Sequence, residues 1–334
     1  MHSISVIENT PQPSSEQTHM QIRRTLIALA LSAALAVSLP HYYAKAQATN
    51  ADDAATPAAA PKVSTYAAAE FKDIAYGHQS GVDQLLDVYT NAASKPGAPA
   101  PVLVYFHGGA WHKGQRPAGS GSFNGFMKMG FTVVNVEYRF SQVATAPAAV
   151  QDARCALAWI KANAAKYNFD VTRIIPYGTS AGGHLALMAG MLPIPSDIDL
   201  PSCKDVPASA AILDFYGPAE LAPAMGGAFK SPSVMEWIGK DKQDPIAYAN
   251  LMSPINYVRK GDPPVFIAHG ANDPVVPHQT SVDLQAALTA AGVPTDFYTV
   301  PVATHGQFPK DQMLIIYDSI QTFLTQQHIL APAK

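Results

Sequence analysis

The segment Tyr177-Gly178-Thr179-Ser180-Ala181-Gly182-Gly183-His184 sets a serine in a Gly-x-Ser-x-Gly pattern. A serine carried on a sharp turn from a strand into a helix projects its hydroxyl into open space, where it can act as a nucleophile. The flanking glycines let the backbone turn tightly and let neighbouring elements approach without a Cβ clash. The N–H of the next residue, Ala181, then lies at a helix N-terminus and can face a developing oxyanion. The surroundings supply that setting. Arg173-Ile174-Ile175-Pro176-Tyr177 is a short apolar run that reads as a buried strand, and Ala181 to Leu192 reads as a helix of Ala, Leu and Met. Pro176 lacks a ladder donor and is expected near the strand's end. The same five residues also suit an ordinary Gly/Ser turn; the strand–turn–helix context separates the two readings.

A serine hydroxyl is a poor nucleophile unless a base takes its proton and a third group orients that base. On this kind of turn the acid and the histidine follow the serine in that order. The later histidines are His184, His269, His278, His305 and His328. His184 stands on the serine's own helix, His269 precedes the candidate acid, His278 opens a helix and His328 lies near the C-terminus. His305, in Val302-Ala303-Thr304-His305-Gly306, follows the last strand and is the candidate base. For the acid, Asp273 in Gly270-Ala271-Asn272-Asp273-Pro274 follows an apolar strand and is preferred to Asp214, although an Asn-Asp-Pro turn would form there in any case. His107-Gly108-Gly109-Ala110-Trp111 leaves N–H groups past another strand, so Gly108 and Gly109, with Ala181, are the candidate oxyanion donors. His107 is expected to hold that loop through a backbone hydrogen bond.

These residues need elements that present them at one edge. From residue 83 the chain alternates: a strand at Leu85–Tyr89, a strand from Pro101 to Phe106, a helix-like stretch from Ser122 to Met129, and a strand from Phe131 to Tyr138. A long helix is expected over Pro147–Lys166, with Val150, Ala153, Leu157 and Ile160 on one face and Asp152 and Lys161 off it. Strands at Ala208–Gly217, Pro264–His269 and Asp296–Val300, and helices at Thr280–Ala291 and Gln312–Gln326, continue the rhythm. Near-continuous apolar strands alternating with helices predict an α/β fold, a mostly parallel sheet covered on both faces. In such sheets the reactive groups gather at the carboxyl ends of the strands.

The chain has 334 residues, 48% of them hydrophobic and 14% charged, with a net charge of −3. That balance gives no electrostatic footprint for nucleic acid or anionic lipid. Arg23-Arg24, an uncharged apolar run from Thr25 to Leu39, and small-residue sites at Ala44-Lys45-Ala46 and Ala46-Gln47-Ala48 describe a secretory signal peptide over residues 1–48. The apolar run is short for a membrane span of roughly 20 residues, so no membrane is expected in the mature form; an uncleaved anchor is the alternative. Residues 1–19 carry Glu8 and Glu16 but no basic residue, which is odd for such a signal and makes Met20 a candidate for the true start. Residues 49–69, rich in Ala, Pro, Asp and Thr, are expected to be a flexible linker before a domain at 70–334. Cys155 and Cys203 are the only cysteines; pairing and two inert thiols both remain open. No C-x-x-C, H-E-x-x-H or clustered His/Asp pattern points to a metal.

Taken together, His107-Gly108-Gly109-Ala110-Trp111, the Ser180 turn through Leu185-Ala186, His269-Gly270-Ala271-Asn272-Asp273-Pro274-Val275-Val276-Pro277, Leu86-Asp87-Val88-Tyr89 and Glu137-Tyr138-Arg139 resemble the esterase/lipase branch of the α/β-hydrolases, in particular its hormone-sensitive-lipase-like and feruloyl-esterase-like carboxylesterases. The resemblance runs from about Leu85 to Leu324. It implies an α/β-hydrolase fold, a Ser180–Asp273–His305 triad, and a cap insertion at about 218–258. It further implies hydrolysis of small-molecule or polymer-linked esters through an acyl-enzyme without metal or organic cofactor, while the signal peptide leads to the expectation of a secreted or periplasmic protein. Trp111, Met235 and Trp237 are candidates to line an apolar pocket, and each equally suits packing of the cap onto the sheet. Thr179 departs from the acidic residue many members carry. An arylformamidase-like amide hydrolase and a catalytically silent binding protein of the same fold are the alternatives. Acyl and alcohol specificity and oligomeric state are not legible.

Overall fold

A computed structural model describes residues 62–226 and 229–332. The expected signal peptide and the first part of the expected linker lie outside the described residues. Eight strands form one sheet: β1 (Ala67–Gln79), β2 (Val82–Asn91), β3 (Ala100–Phe106), β4 (Thr132–Val136), β5 (Phe169–Thr179), β6 (Ile212–Phe215), β7 (Val265–Gly270) and β8 (Thr295–Val300). Their order across the sheet is β1-β2-β4-β3-β5-β6-β7-β8. The β1–β2 and β2–β4 pairs are antiparallel and every other pair is parallel. Helices α1 (Asn124–Lys128), α2 (Ala148–Ala162), α3 (Ala164–Tyr167), α4 (Ala181–Met191), α5 (Pro232–Ile238), α6 (Pro245–Leu251), α7 (Gln279–Ala290) and α8 (Lys310–Gln326) complete the chain. This is the mostly parallel, doubly covered sheet that the alternation predicts.

The inner strands are largely apolar because both faces are buried, and their side chains alternate between two cores. Val102, Val104 and Phe106 of β3 share one core with Val134 and Val136 of β4, Ile174 of β5 and Ile267 of β7, closed by Val150 and Leu157 of α2, Leu185 of α4 and Leu284 of α7. The intervening residues Leu103, Val133, Ile175, Leu213 and Phe266 turn to the other core, where Phe126 of α1 and Ile316, Ile320 and Phe323 of α8 meet them.

Several sequence expectations shift. Ordered chain begins before residue 70: the Lys62 carbonyl accepts from Gly121 N–H, Ser64 N–H donates to Ser120 Oγ, and Ala67–Ala69 already belong to β1. Part of the span expected as linker, residues 67–69, is therefore strand, because pairing with β2 supplies the hydrogen bonds its own side chains cannot. The long helix predicted over Pro147–Lys166 is two helices, α2 and α3, that meet at Asn163. Asp152, off the apolar stripe, is nonetheless buried, since it receives Arg139 through both carboxylate oxygens. Pro176 stands inside β5, opposite Val104 of β3. Backbone groups alternate edges along a strand, so Pro176 turns the same way as Ile174, whose carbonyl accepts from Ala210. On that edge the pairing with β6 starts only at Tyr177, and the missing donor costs no ladder bond. Cys155 of α2 and Cys203 are joined by a disulfide.

Residues 218–258 leave the sheet and return to it as short 3-10 turns around α5 and α6. Both helices start alike: Ser231 and Asp244 accept from Val234 and Ala247 N–H, and Pro232 and Pro245 take the first helical position, where no donor is needed.

Candidate active site

Ser180 stands between the end of β5 and the start of α4 with φ 54° and ψ −122°, a conformation that L-residues rarely adopt. Its N–H donates to the Phe215 carbonyl, and its own carbonyl accepts from His184 N–H, which begins the helix. Gly182 must lack a side chain because a Cβ there would run into the Phe106 carbonyl of β3. The first helical residue, Ala181, is buried, and its N–H belongs to the positive end of α4.

His305, in the loop after β8, places Nε2 2.8 Å from Ser180 Oγ and Nδ1 2.7 Å from Asp273 Oδ2. A carboxylate oxygen only accepts, so Nδ1 carries the proton and Nε2 is free to accept from the serine hydroxyl. Asp273, in the loop after β7, has a side chain that is 0% exposed, against 22% for His305. Its Oδ1 accepts from Val275 and Val276 N–H, and its Oδ2 lies near both His305 and His269. Burial pushes this carboxyl upward, but the hydrogen bonds from His269, His305 and Val276 outweigh it and hold the group well below the usual carboxylate range. The rival acid, Asp214, does not meet His305. It is buried at β6, accepts from Gly217 N–H at 3.0 Å, and is pushed by burial to about 8.

The loop after β3 runs alongside the serine. A Cβ on Gly108 would stand 3.4 Å from Ser180 Cβ. Gly109 has φ 125°, and its carbonyl accepts from His112 and Lys113 N–H. No turn or loop hydrogen bond among the described residues uses the N–H of Gly108 or Gly109. His107 Nδ1 donates to the Gly108 carbonyl at 2.6 Å, the Tyr138 hydroxyl donates to the His107 carbonyl, and the two rings stack at 4.6 Å. Ala110 and Trp111 follow with φ 53° and 59°.

The three residues considered for a pocket divide. Trp237 is fully buried and Trp111 nearly so; their rings stack at 4.6 Å, and both meet the ring of His184 edge-on. Neither tryptophan presents a surface for a substrate, because the stack is what seals α5 onto the loop after β3. Met235 is half-buried on α5. His184 Nε2 donates to the Met252 carbonyl at 2.7 Å, and burial pushes the ring down to about 4, so it is neutral.

Two contacts of the site have no counterpart in the sequence reading. Tyr216, just past β6, has φ 45° and sets its ring 4.9 Å from His305, edge to face. His269 reaches the same Asp273 oxygen, Oδ2, that His305 meets. The position of His269 at the end of an apolar strand was legible; nothing in the sequence signals the strained backbone of Tyr216. Among the described residues no group of three or more His, Cys, Asp or Glu is placed to hold a metal ion.

Comparison with known proteins agrees with this geometry. The chain is 33% identical over 242 residues to Esterase LipQ of Mycobacterium tuberculosis, which covers 71% of this chain but only 57% of LipQ. It is 29% identical over 229 residues to Carboxylesterase NlhH of the same species, covering 62% of this chain and 66% of NlhH. The chain thus spans little more than half the length of LipQ. Among solved structures, a truncated carbohydrate esterase from gut microbiota is 28% identical, with a TM-score of 0.64 over 78% of this chain and 97% of that one. Esterase 2 of Thermogutta terrifontis with bound propionate is 25% identical, with a TM-score of 0.65 over 79% and 97%. The BD-FAE family model matches residues 86–288, a span that includes the Ser180 turn and Asp273. This chain, with its serine on a strained turn of a mostly parallel sheet, belongs to the BD-FAE family of feruloyl-esterase-like α/β-hydrolases.

Proposed function

We propose that this protein is a secreted serine carboxylesterase that cleaves carboxylic esters through an acyl-enzyme. The observation that carries the reading is the hydrogen-bonded line from Ser180 Oγ through His305 to Asp273, with two unused loop N–H groups beside the serine. Ser180 Oγ attacks the ester carbonyl as its proton passes to His305 Nε2. Asp273 stays ionised and stabilises the imidazolium. Gly108, Gly109 and Ala181 N–H groups face the oxyanion, each such donor being worth on the order of 3 kcal/mol in the transition state. His305 then hands the proton to the leaving alcohol. Water, deprotonated by the same nitrogen, attacks the acyl-enzyme and releases the acid.

The propionate held by the Thermogutta esterase supports a short acyl group, and the gut carbohydrate esterase supports an alcohol that is part of a saccharide. Export is supported by the basic start, apolar run and small-residue sites of residues 23–48 and by the Cys155–Cys203 disulfide, which suits an oxidising compartment. The test is a chromogenic ester series from acetate to long acyl chains, with methyl ferulate, on the wild type and Ser180→Ala. Loss of the nucleophile lowers kcat by about 10⁶. Turnover by the wild type alone supports the reading. Absence of ester turnover overturns it and makes formyl amides the next substrates to try.

A further inference from the structure

His269 is the last residue but one of β7 and is fully buried, and the hydrolytic steps above leave it unused. Its Nε2 lies 3.1 Å from Asp273 Oδ2 and 3.1 Å from the Val276 carbonyl. Both neighbours are acceptors, so the proton of this ring sits on Nε2. Its Nδ1 lies 2.8 Å from Ser281 Oγ on α7, also fully buried, and accepts that hydroxyl's proton. The hydrogen-bonded line therefore does not stop at the acid. It runs Ser180, His305, Asp273, His269, Ser281, and ends against a helix of the sheet's covering layer.

We infer that His269 is a positioning residue for the ester hydrolysis proposed above: its Nε2–H fixes the second oxygen of Asp273 so that this oxygen faces His305 Nδ1. The inference rests on that functional reading. Oδ1 is held by the Val275 and Val276 N–H groups, whereas Oδ2 takes its donors from the two imidazoles, His305 and His269. His305 hangs from a loop and is partly exposed, so it is a weak anchor. His269 is on a strand paired on both sides and is held at both nitrogens, so it defines where Oδ2 stands. A buried imidazole is costly unless its nitrogens are partnered, and this one is partnered toward the acid.

The other groups facing His269 are few. His278, which precedes α7, has its ring 5.5 Å away and its Nε2 3.0 Å from Thr299 Oγ1. Burial and the nearness of His269 both push His278 downward. Tyr216 approaches to 6.4 Å, with its hydroxyl pushed upward by burial and so neutral.

The experiment compares His269→Gln with His269→Asn in the full chain. The Gln amide nitrogen stands where Nε2 stands and can still donate to Asp273; the Asn amide reaches only as far as Nδ1. His269→Asn is expected to lose kcat by roughly 10- to 100-fold, the scale of one hydrogen bond to a charged group, with KM within about twofold. The acid limb of its kcat/KM profile shifts to higher pH, because an Asp273 charge relieved of one donor stabilises the His305 imidazolium more strongly. His269→Gln restores both the rate and the limb. Equal rates for the two variants, whether near wild type or equally impaired, overturn the inference, as does an unmoved acid limb in His269→Asn. A wild type without ester turnover, or a Ser180→Ala variant that keeps it, condemns the esterase reading instead, and this inference falls with it.

Discussion

Asp273→Asn is the perturbation whose consequence the structure specifies most fully. The carboxylate accepts from Val275 and Val276 through Oδ1 and from His305 and His269 through Oδ2. An asparagine satisfies one oxygen's donors and opposes the other's. If its oxygen stays with the two backbone N–H groups, its NH₂ faces His305. The imidazole then keeps a contact only by moving its proton from Nδ1 to Nε2, where it confronts Ser180 and cannot accept the serine's proton. If the amide flips, NH₂ meets the two N–H groups of Val275 and Val276 instead. The transition state also loses the ion pair. At the observed 2.7 Å and an effective dielectric of about 20, that attraction is about 6 kcal/mol. At about 1.4 kcal/mol per decade this is a fall in kcat of about 10⁴, the scale known for an acid-to-amide change in such triads. The assay is steady-state hydrolysis of p-nitrophenyl acetate at pH 7 to 8, with circular dichroism to confirm folding. KM should hardly move, because Asp273 does not touch substrate. A folded Asp273→Asn variant within about tenfold of wild-type kcat refutes the assigned tautomer and the role of the acid.

Two further predictions concern groups away from the reacting atoms. Asp214, at about 8 in the folded protein, titrates far above the ~3.9 of an exposed aspartate. The folded state therefore binds the extra proton between about pH 4 and 8, and stability falls as pH rises through that window. Asp214→Asn removes this slope: the melting temperature of wild type should drop relative to the variant from pH 4 to pH 8, and parallel curves refute it. Arg154 and Asp199 form an ion pair in which neither side chain is exposed, and Arg154 also donates to the Ala189 and Pro193 carbonyls. Asp199→Ala leaves that guanidinium buried without its counter-charge and should cost about 3–5 kcal/mol in chemical denaturation; a loss below about 1 kcal/mol contradicts the pairing.

Where the sequence is legible, the reason is burial on both faces. Strands β3, β4, β6 and β7 and the second half of β5 are largely apolar because helices cover each side, and Ser180, Asp273 and His305 each follow one of the parallel strands, in the order the chemistry needs. Strand β1 escapes notice because it is an edge: Glu70, Lys72 and Asp73 interrupt it, and such charges discourage pairing with another chain. Asp152 and Arg154 look like a solvated helix face until their partners Arg139 and Asp199, distant in sequence, are seen. His269 has the same difficulty. Its place before the acid in sequence excludes it as the triad base, yet folding brings it to the same carboxylate oxygen that His305 meets. The stacked Trp111 and Trp237 show the limit of composition: aromatic residues in a loop and an insertion beside the site signal apolar contact, and only packing decides whether a substrate or another ring supplies it.

The central claim is that Ser180 carries the acyl group. The most direct measurement is the intact mass of the protein, acid-quenched within the first turnovers of an excess of p-nitrophenyl ester, followed by peptide mapping. The account predicts a mass increase of one acyl group, located on the peptide containing Ser180 and absent from Ser180→Ala. Turnover with no adduct, or with the acyl group on another residue, would contradict it.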